Sequence, residues 1–131
     1  TGNMLAMTAM RASLAEVMTP VAYEHMLALA ARLADGIRQL ITRHQLPWCV
    51  TQVGARTEFQ FCPTPPHNGT EAGHILDAEL EHLIHLGLLN RGVMITPFHN
   101  MMLVCPATTV DDVAQLLGAL DEVLTAIVVQ P

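Results

Sequence analysis

The sequence predicts an α+β fold, an α/β sandwich whose small, mostly antiparallel sheet carries helices packed on one side. Two observations lead there. Apolar residues recur at helical spacing in four segments, and the runs between those segments are short and strand-like, one of them with period-two alternation. In chain order the elements read α-α-β-β-α-β-β-α, which packs most simply as a small sheet under a layer of helices. At 131 residues, the chain makes about one domain with one core.

The first helix is expected over residues 3–18, "NMLAMTAMRASLAEVM", where Arg11 and Glu16 are the charges. A helix apolar on nearly every side is normally buried. The chain opens Thr1-Gly2-Asn3 rather than with Met, and a helix this apolar at its end has too little to bury against, so a larger body is expected upstream. Ser13, within this helix, is expected to be a small packing residue. Thr19 and Pro20 then stop the first helix and start a second, with Thr as N-cap and Pro where its missing N–H costs nothing. Met26, Leu29, Leu33, Ile37, Leu40 and Ile41 carry the second helix to about His44, and Pro47 ends the pattern.

Two antiparallel strands follow, "WCVTQV" and "RTEFQFC", joined by Gly54-Ala55. Thr57, Phe59 and Phe61 alternate with Glu58, Gln60 and Cys62, so one face of the second strand is buried. "PTPPHNGTEAG", residues 63–73, is rich in Pro and Gly and is expected to be a loop. A third helix spans Asp77 to Leu89 with Leu80, Leu83, Ile84 and Leu88 inward, and Asn90 or Gly92 supplies a left-handed stop. "GVMITPFHNMMLVCP", residues 92–106, is expected to be a hairpin with Phe98, His99 and Asn100 at its tip. The last helix runs from Thr109 to Val128, opened by a Thr109-x-x-Asp112 capping box, with Val113, Leu116, Leu117, Leu120 and Leu124 on one face.

Composition narrows the function. Six Arg, no Lys and twelve acidic residues give a formal charge of −6, and no basic face exists to meet nucleic acid. No apolar run reaches the ~18 residues of a membrane helix, and no secretory leader opens the chain, so a cytoplasmic protein without a membrane partner is expected. Charged residues make up 14% against about 25% in ordinary soluble domains. A surface so short of charge is expected to be covered by another domain or a second subunit.

Candidate chemistry is sparse. Cys49, Cys62 and Cys105 lie far apart in sequence without CxxC spacing and read as free thiols. Glu79-x-x-His82 and Glu71-x-x-His74 have a di-metal spacing, yet a di-metal bundle needs both copies on helices plus two further Glu, so no metal site is assigned. Asn68-Gly69-Thr70 reads as a turn. Arg56, on a strand beside an aromatic hairpin, has the chemistry to clamp a carboxylate with two parallel hydrogen bonds, or to pair with Glu58 at the surface.

Several segments resemble a known family in the right order. "TGNMLAMTAMRASLAEV" is similar to the Ser-Gly-Asn-Pro-Leu-Ala-Met segment of the class III, fold type I aminotransferases, the pyridoxal-phosphate family that includes glutamate-1-semialdehyde aminomutase. "AYEHMLALAARLADGIRQLITRHQLP", "LLNRGVMITP" and "TTVDDVAQLLGALDEVL" resemble its next helix, its strand entry and its closing helix. The resemblance covers essentially the whole chain. It implies that residues 1–131 are the C-terminal small domain, including the leading helix 3–18, of a transaminase that moves an amino group between an amino acid or amine and a keto acid.

The same resemblance places the cofactor, pyridoxal phosphate, in a large domain outside this chain, with a second subunit as a further partner in a homodimer. With no Lys, the chain cannot supply the Schiff-base amine, so no cofactor is expected to be bound by it and no catalytic residue is assigned within it. Phe98, His99 and Asn100 are implied to overhang the substrate pocket, with Arg56 a carboxylate contact. Met4 stands where the family's Asn is usually followed by Pro, and the aminomutases carry a Glu about where His99 or Asn100 aligns, which favours a transaminase over an aminomutase. A free-standing interaction module that docks through its apolar first helix is the alternative from another class.

Overall fold

The computed structural model describes residues 2–128. Thr1, which opens the segment carrying the family resemblance, and the last residues of the expected 1–131 domain lie outside them. The elements are α1 (Met4–Ala12), a π-helical turn (Ser13–Val17), α2 (Pro20–Arg43), β1 (Cys49–Val53), β2 (Arg56–Gln60), α3 (Gly69–His74), α4 (Ala78–Leu89), β3 (Met101–Leu103) and α5 (Val110–Val128). The three strands form one antiparallel sheet in the order β1-β2-β3.

β2 is the centre of both the sheet and the core. Its alternation is realised as expected: Thr57 and Phe59 are buried while Arg56 is exposed and Glu58 and Gln60 are half-buried. Phe59 stacks almost parallel on Trp48 at 5.6 Å, and Trp48 also meets Phe61 at 4.8 Å. Ala30 and Ala34 of α2 are fully buried; their small side chains let the helix come close to the strand, and the Thr57 hydroxyl reaches the Ala30 carbonyl at 3.5 Å. Every residue expected on the inner face of α2 is buried there.

α5 packs on α2, and α4 packs on α5. The α4–α5 crossing needs a glycine. A Cβ on Gly87 would stand 2.9 Å from a Val123 methyl carbon, which is inside ordinary contact distance. α4 meets α5 through Ile84, Gly87 and Leu88, with Leu80 partly buried beside them. Leu83 falls off that stripe and is 51% exposed, against the expectation that it points inward. The stop after α4 is Gly92, with φ of 76°, whereas Asn90 keeps right-handed helical geometry.

Four other expectations are corrected. Residues 92–96 form no strand; the Thr96 hydroxyl accepts from the Met101 N–H at 3.2 Å and lies within 2.9 Å of the Phe98 and Met101 carbonyls, so a side chain closes the loop that a strand pair was expected to close. β3 pairs with β2 instead. Within residues 63–73, Gly69 onward is helical, because Asn68 caps the Glu71 N–H at 3.0 Å and Glu71 accepts from the His67 N–H at 2.8 Å, a capping arrangement that outweighs the glycines. The first helix is not buried: no side chain of α1 or the π-helical turn is, since nothing else in the described chain folds over it. Ser13 is exposed and accepts the i+5 bond from Met18 at 2.9 Å rather than packing.

The end of α2 is pinned to α5 by charge. His44 Nε2 and Arg43 each lie 2.7 Å from an oxygen of Asp121, and the His44 hydrogen bond, then Arg43, hold the Asp121 carboxyl below its usual range. A depressed acid stabilises the fold above its unfolded pKa and loses that contribution as pH falls through the folded value. Asp121→Asn is therefore expected to cost about 0.5–1 kcal/mol at neutral pH. Urea titrations should show the wild-type advantage shrinking as pH drops below ~4.

Candidate functional site

The outward face of β2 lines a cavity of about 360 Å³. Side chains two apart on a strand share a face, so burying Thr57 and Phe59 turns Arg56, Glu58 and Gln60 outward together. These three form the cavity floor, joined at its edge by Phe59 and Phe61. α3 supplies one wall through Gly69, Ala72 and Gly73, continued by Ile75 and Leu76, and Glu81 at the start of α4 supplies another. The 97–100 turn closes it with His99 and Asn100.

The floor is a hydrogen-bonded row. Arg56 Nη2 is paired with Glu58 Oε2, and Gln60 Nε2 donates to Glu58 Oε1 at 3.3 Å. The surface ion pair open to Arg56 in the sequence is therefore formed, and it is formed inside the cavity. Arg56 keeps 48% of its side chain exposed while Glu58 keeps 13%, so the guanidinium retains donor edges that face solvent and any entering group.

His99 and Asn100 both sit in left-handed backbone, at φ of 60° and 44°. Asn tolerates that region better than most residues because its short amide interacts with the local backbone. Asn100 is 4% exposed, and its amide makes no side-chain hydrogen bond among the described residues. Phe98 does not line the cavity; it is 52% exposed, and its ring stands edge-on to the His99 imidazole at 5.4 Å, steadying the residue that does.

Arg56, His99 and Asn100 thus converge although 43 positions separate Arg56 from His99 and 44 separate it from Asn100. Sequence reasoning missed Glu58, Gln60 and Glu81. The β2 alternation held the signal for the first two, since it puts them on the face of Arg56. Glu79 and His82 are both exposed on α4, and Glu71 is occupied in capping α3. Among the described residues no group of three His, Cys, Asp or Glu side chains is placed to hold a metal ion, and no helix is long and apolar enough to cross a membrane.

Comparison with known proteins gives a consistent result. No protein-family model matches the chain. It is 32% identical over 124 residues to glutamate-1-semialdehyde 2,1-aminomutase 2 of Geobacillus kaustophilus, an alignment covering 93% of this chain and 28% of that protein. A solved glutamate-1-semialdehyde aminomutase from Pseudomonas aeruginosa PAO1, in complex with PMP, superposes with a TM-score of 0.92 at 50% identity, over 95% of this chain and 27% of that one. An omega-transaminase from Sphaerobacter thermophilus shares the fold at 21% identity and a TM-score of 0.71, over 82% of this chain and 25% of that one. The chain spans less than a third of the length of these relatives.

The left-handed turn yields a direct test of the loop. Asn100→Ala is expected to cost about 1–2 kcal/mol, the left-handed penalty of an ordinary side chain. Asn100→Gly, which relieves it, should stay near wild type in the same denaturant titration.

Proposed function

This chain belongs to the class III, fold type I family of pyridoxal-phosphate-dependent aminotransferases, and we propose that it serves as the C-terminal small domain of a transaminase acting between an amino acid or amine and a keto acid. The observation that carries the reading is the meeting of Arg56, His99 and Asn100 at one cavity. Its ligand is the carboxylate of a small amino-acid or keto-acid substrate. Arg56 offers the planar fork that binds such a group through two parallel hydrogen bonds. Glu58 occupies part of that fork before the substrate arrives, and Gln60, bonded to the other Glu58 oxygen, steadies the carboxylate as Arg56 turns to the ligand. Asn100 adds an amide hydrogen bond at the turn, and His99, backed by Phe98, adds an imidazole.

The cofactor of this chemistry is pyridoxal phosphate, which carries the amino group in family members. The residues of this chain do not fit it. There is no Lys, and Glu58 and Glu81 at the cavity share the sign of a phosphate. Cofactor binding therefore belongs to a large domain, and a homodimer partner completes the enzyme. The bare apolar surface of α1 and the π-helical turn, with Met4, Leu5, Met7, Met10 and Leu14 all exposed, suits coverage by such a body. A cytoplasmic location accords with this chemistry.

A glutamate-1-semialdehyde 2,1-aminomutase is the second reading, favoured by 50% identity to the Pseudomonas protein. The 97–100 turn holds Pro97, Phe98, His99 and Asn100 and no acid, which favours the transaminase. In the full-length enzyme, Arg56→Gln is expected to raise KM about tenfold or more for donors bearing a carboxylate and to leave an amine lacking one unchanged. Equal effects on both donors would remove Arg56 from the substrate site. Turnover of a single amino-aldehyde substrate without a keto-acid acceptor would decide for the aminomutase.

A further inference from the structure

Cys49 opens β1 and Cys62 lies two residues past the end of β2, 13 positions apart in sequence. The register pairs Cys49 with Gln60, so Cys62 is the next residue along on the same outward face. Their sulfurs are 3.8 Å apart, both free and both half-buried. A disulfide needs about 2.05 Å between sulfurs. Cys62 is outside the strand ladder, where a side-chain rotation with a small shift of a bend closes that gap without breaking a backbone pair.

We propose that Cys49 and Cys62 form a modification site, a dithiol that hydrogen peroxide converts to an intramolecular disulfide. Cys62 attacks the peroxide oxygen, its sulfur giving up two electrons and becoming a sulfenic acid as water leaves. Cys49 then attacks that sulfur; the S–S bond forms, the S–O bond breaks, and the Cys49 proton departs with the hydroxyl as water. Across both steps two thiols lose two hydrogens and the peroxide is reduced to two waters. The order of attack follows from Cys49, whose thiol is pushed up to about 11 chiefly by burial and so holds its proton until the second step.

The pair is joined to the cavity. The Cys49 thiol donates to Gln60 Oε1 at 3.7 Å, and Gln60 holds Glu58, which is paired with Arg56. The Cys62 thiol donates to the Thr64 carbonyl at 3.1 Å, at the start of the segment that leads to α3. A disulfide has no S–H, so oxidation removes both donors at once. Glu58, less restrained by Gln60, then competes more strongly for Arg56, and affinity for a carboxylate ligand falls. This last step rests on the carboxylate reading above; the disulfide itself does not.

The test uses the chain in a Cys105→Ser background, which removes the exposed third thiol. After mild peroxide treatment, both remaining thiols should disappear from a thiol titration and return with dithiothreitol. Intact mass should fall by two hydrogens, and peptide mapping should join the Cys49 and Cys62 peptides. Retention of both thiols, or addition of oxygen to Cys62 without a crosslink while Cys49 is present, overturns the site; in a Cys49→Ser variant the crosslink should be replaced by oxygen added to Cys62. Succinate titrations of the reduced and oxidised forms, with Arg56→Gln as control, read the coupling. Weaker binding after oxidation supports it, and equal binding overturns it. Absence of Arg56-dependent binding in the reduced form counts against the carboxylate reading, while the crosslink alone decides the dithiol.

Discussion

Thr57 and Phe59 are held against α2 with almost no exposure, and successive residues of a strand face opposite ways. Their burial therefore forces Arg56, Glu58 and Gln60 together onto the open side of the sheet. A slip of one residue in the β1–β2 register would send the phenylalanine into solvent and the arginine into the core, which no partner there could neutralise. The aromatic contacts of Trp48, Phe59 and Phe61 thus secure the register, and the register lays out the floor of the cavity. Core packing and the composition of the site are two faces of one five-residue strand.

Electrostatics then shapes what the floor can do. Arg56 is the cavity's arginine and is paired with Glu58, so a carboxylate entering as proposed would compete with a group of its own charge for one guanidinium. On the proposed reading, such a site would bind its ligand by exchange of partners rather than by filling an empty positive pocket. That arrangement favours selectivity over strength, since a ligand that fails to match the fork leaves the resident pair intact. The family relationship supplies the larger setting in which a carboxylate would arrive at this place.

Much of the architecture was legible in the sequence. The α2 stripe, the Thr19 cap, the Thr109 capping box and the β2 alternation are local signals, each decided by residues within a turn or two. What escaped was settled by longer reach or by side chains acting as backbone. Thr96 closes the 96–101 loop with its hydroxyl, so an apolar run that looked like a strand has no strand to pair with. Asn68 and Glu71 cap a helix in a stretch whose prolines and glycines argued for a loop. Leu83 sits one step off a contact defined by Gly87, and a missing side chain leaves little trace in an apolar pattern. Of the cavity lining, Arg56, His99 and Asn100 were named from residue chemistry and family resemblance, Phe98 was named with them but lies outside it, and Glu81 came from a helix whose placement no local pattern specified.

The tight crossing at Gly87 has a mechanical consequence. With Val123 seated against the bare backbone of α4, that helix and α5 form a stiff couple, and Glu81 is carried on it as on a beam. α3, by contrast, is a helix of six residues with no buried side chain anchoring it. Any breathing of the cavity is therefore one-sided, its compliance concentrated in the α3 wall while the acidic wall keeps its station.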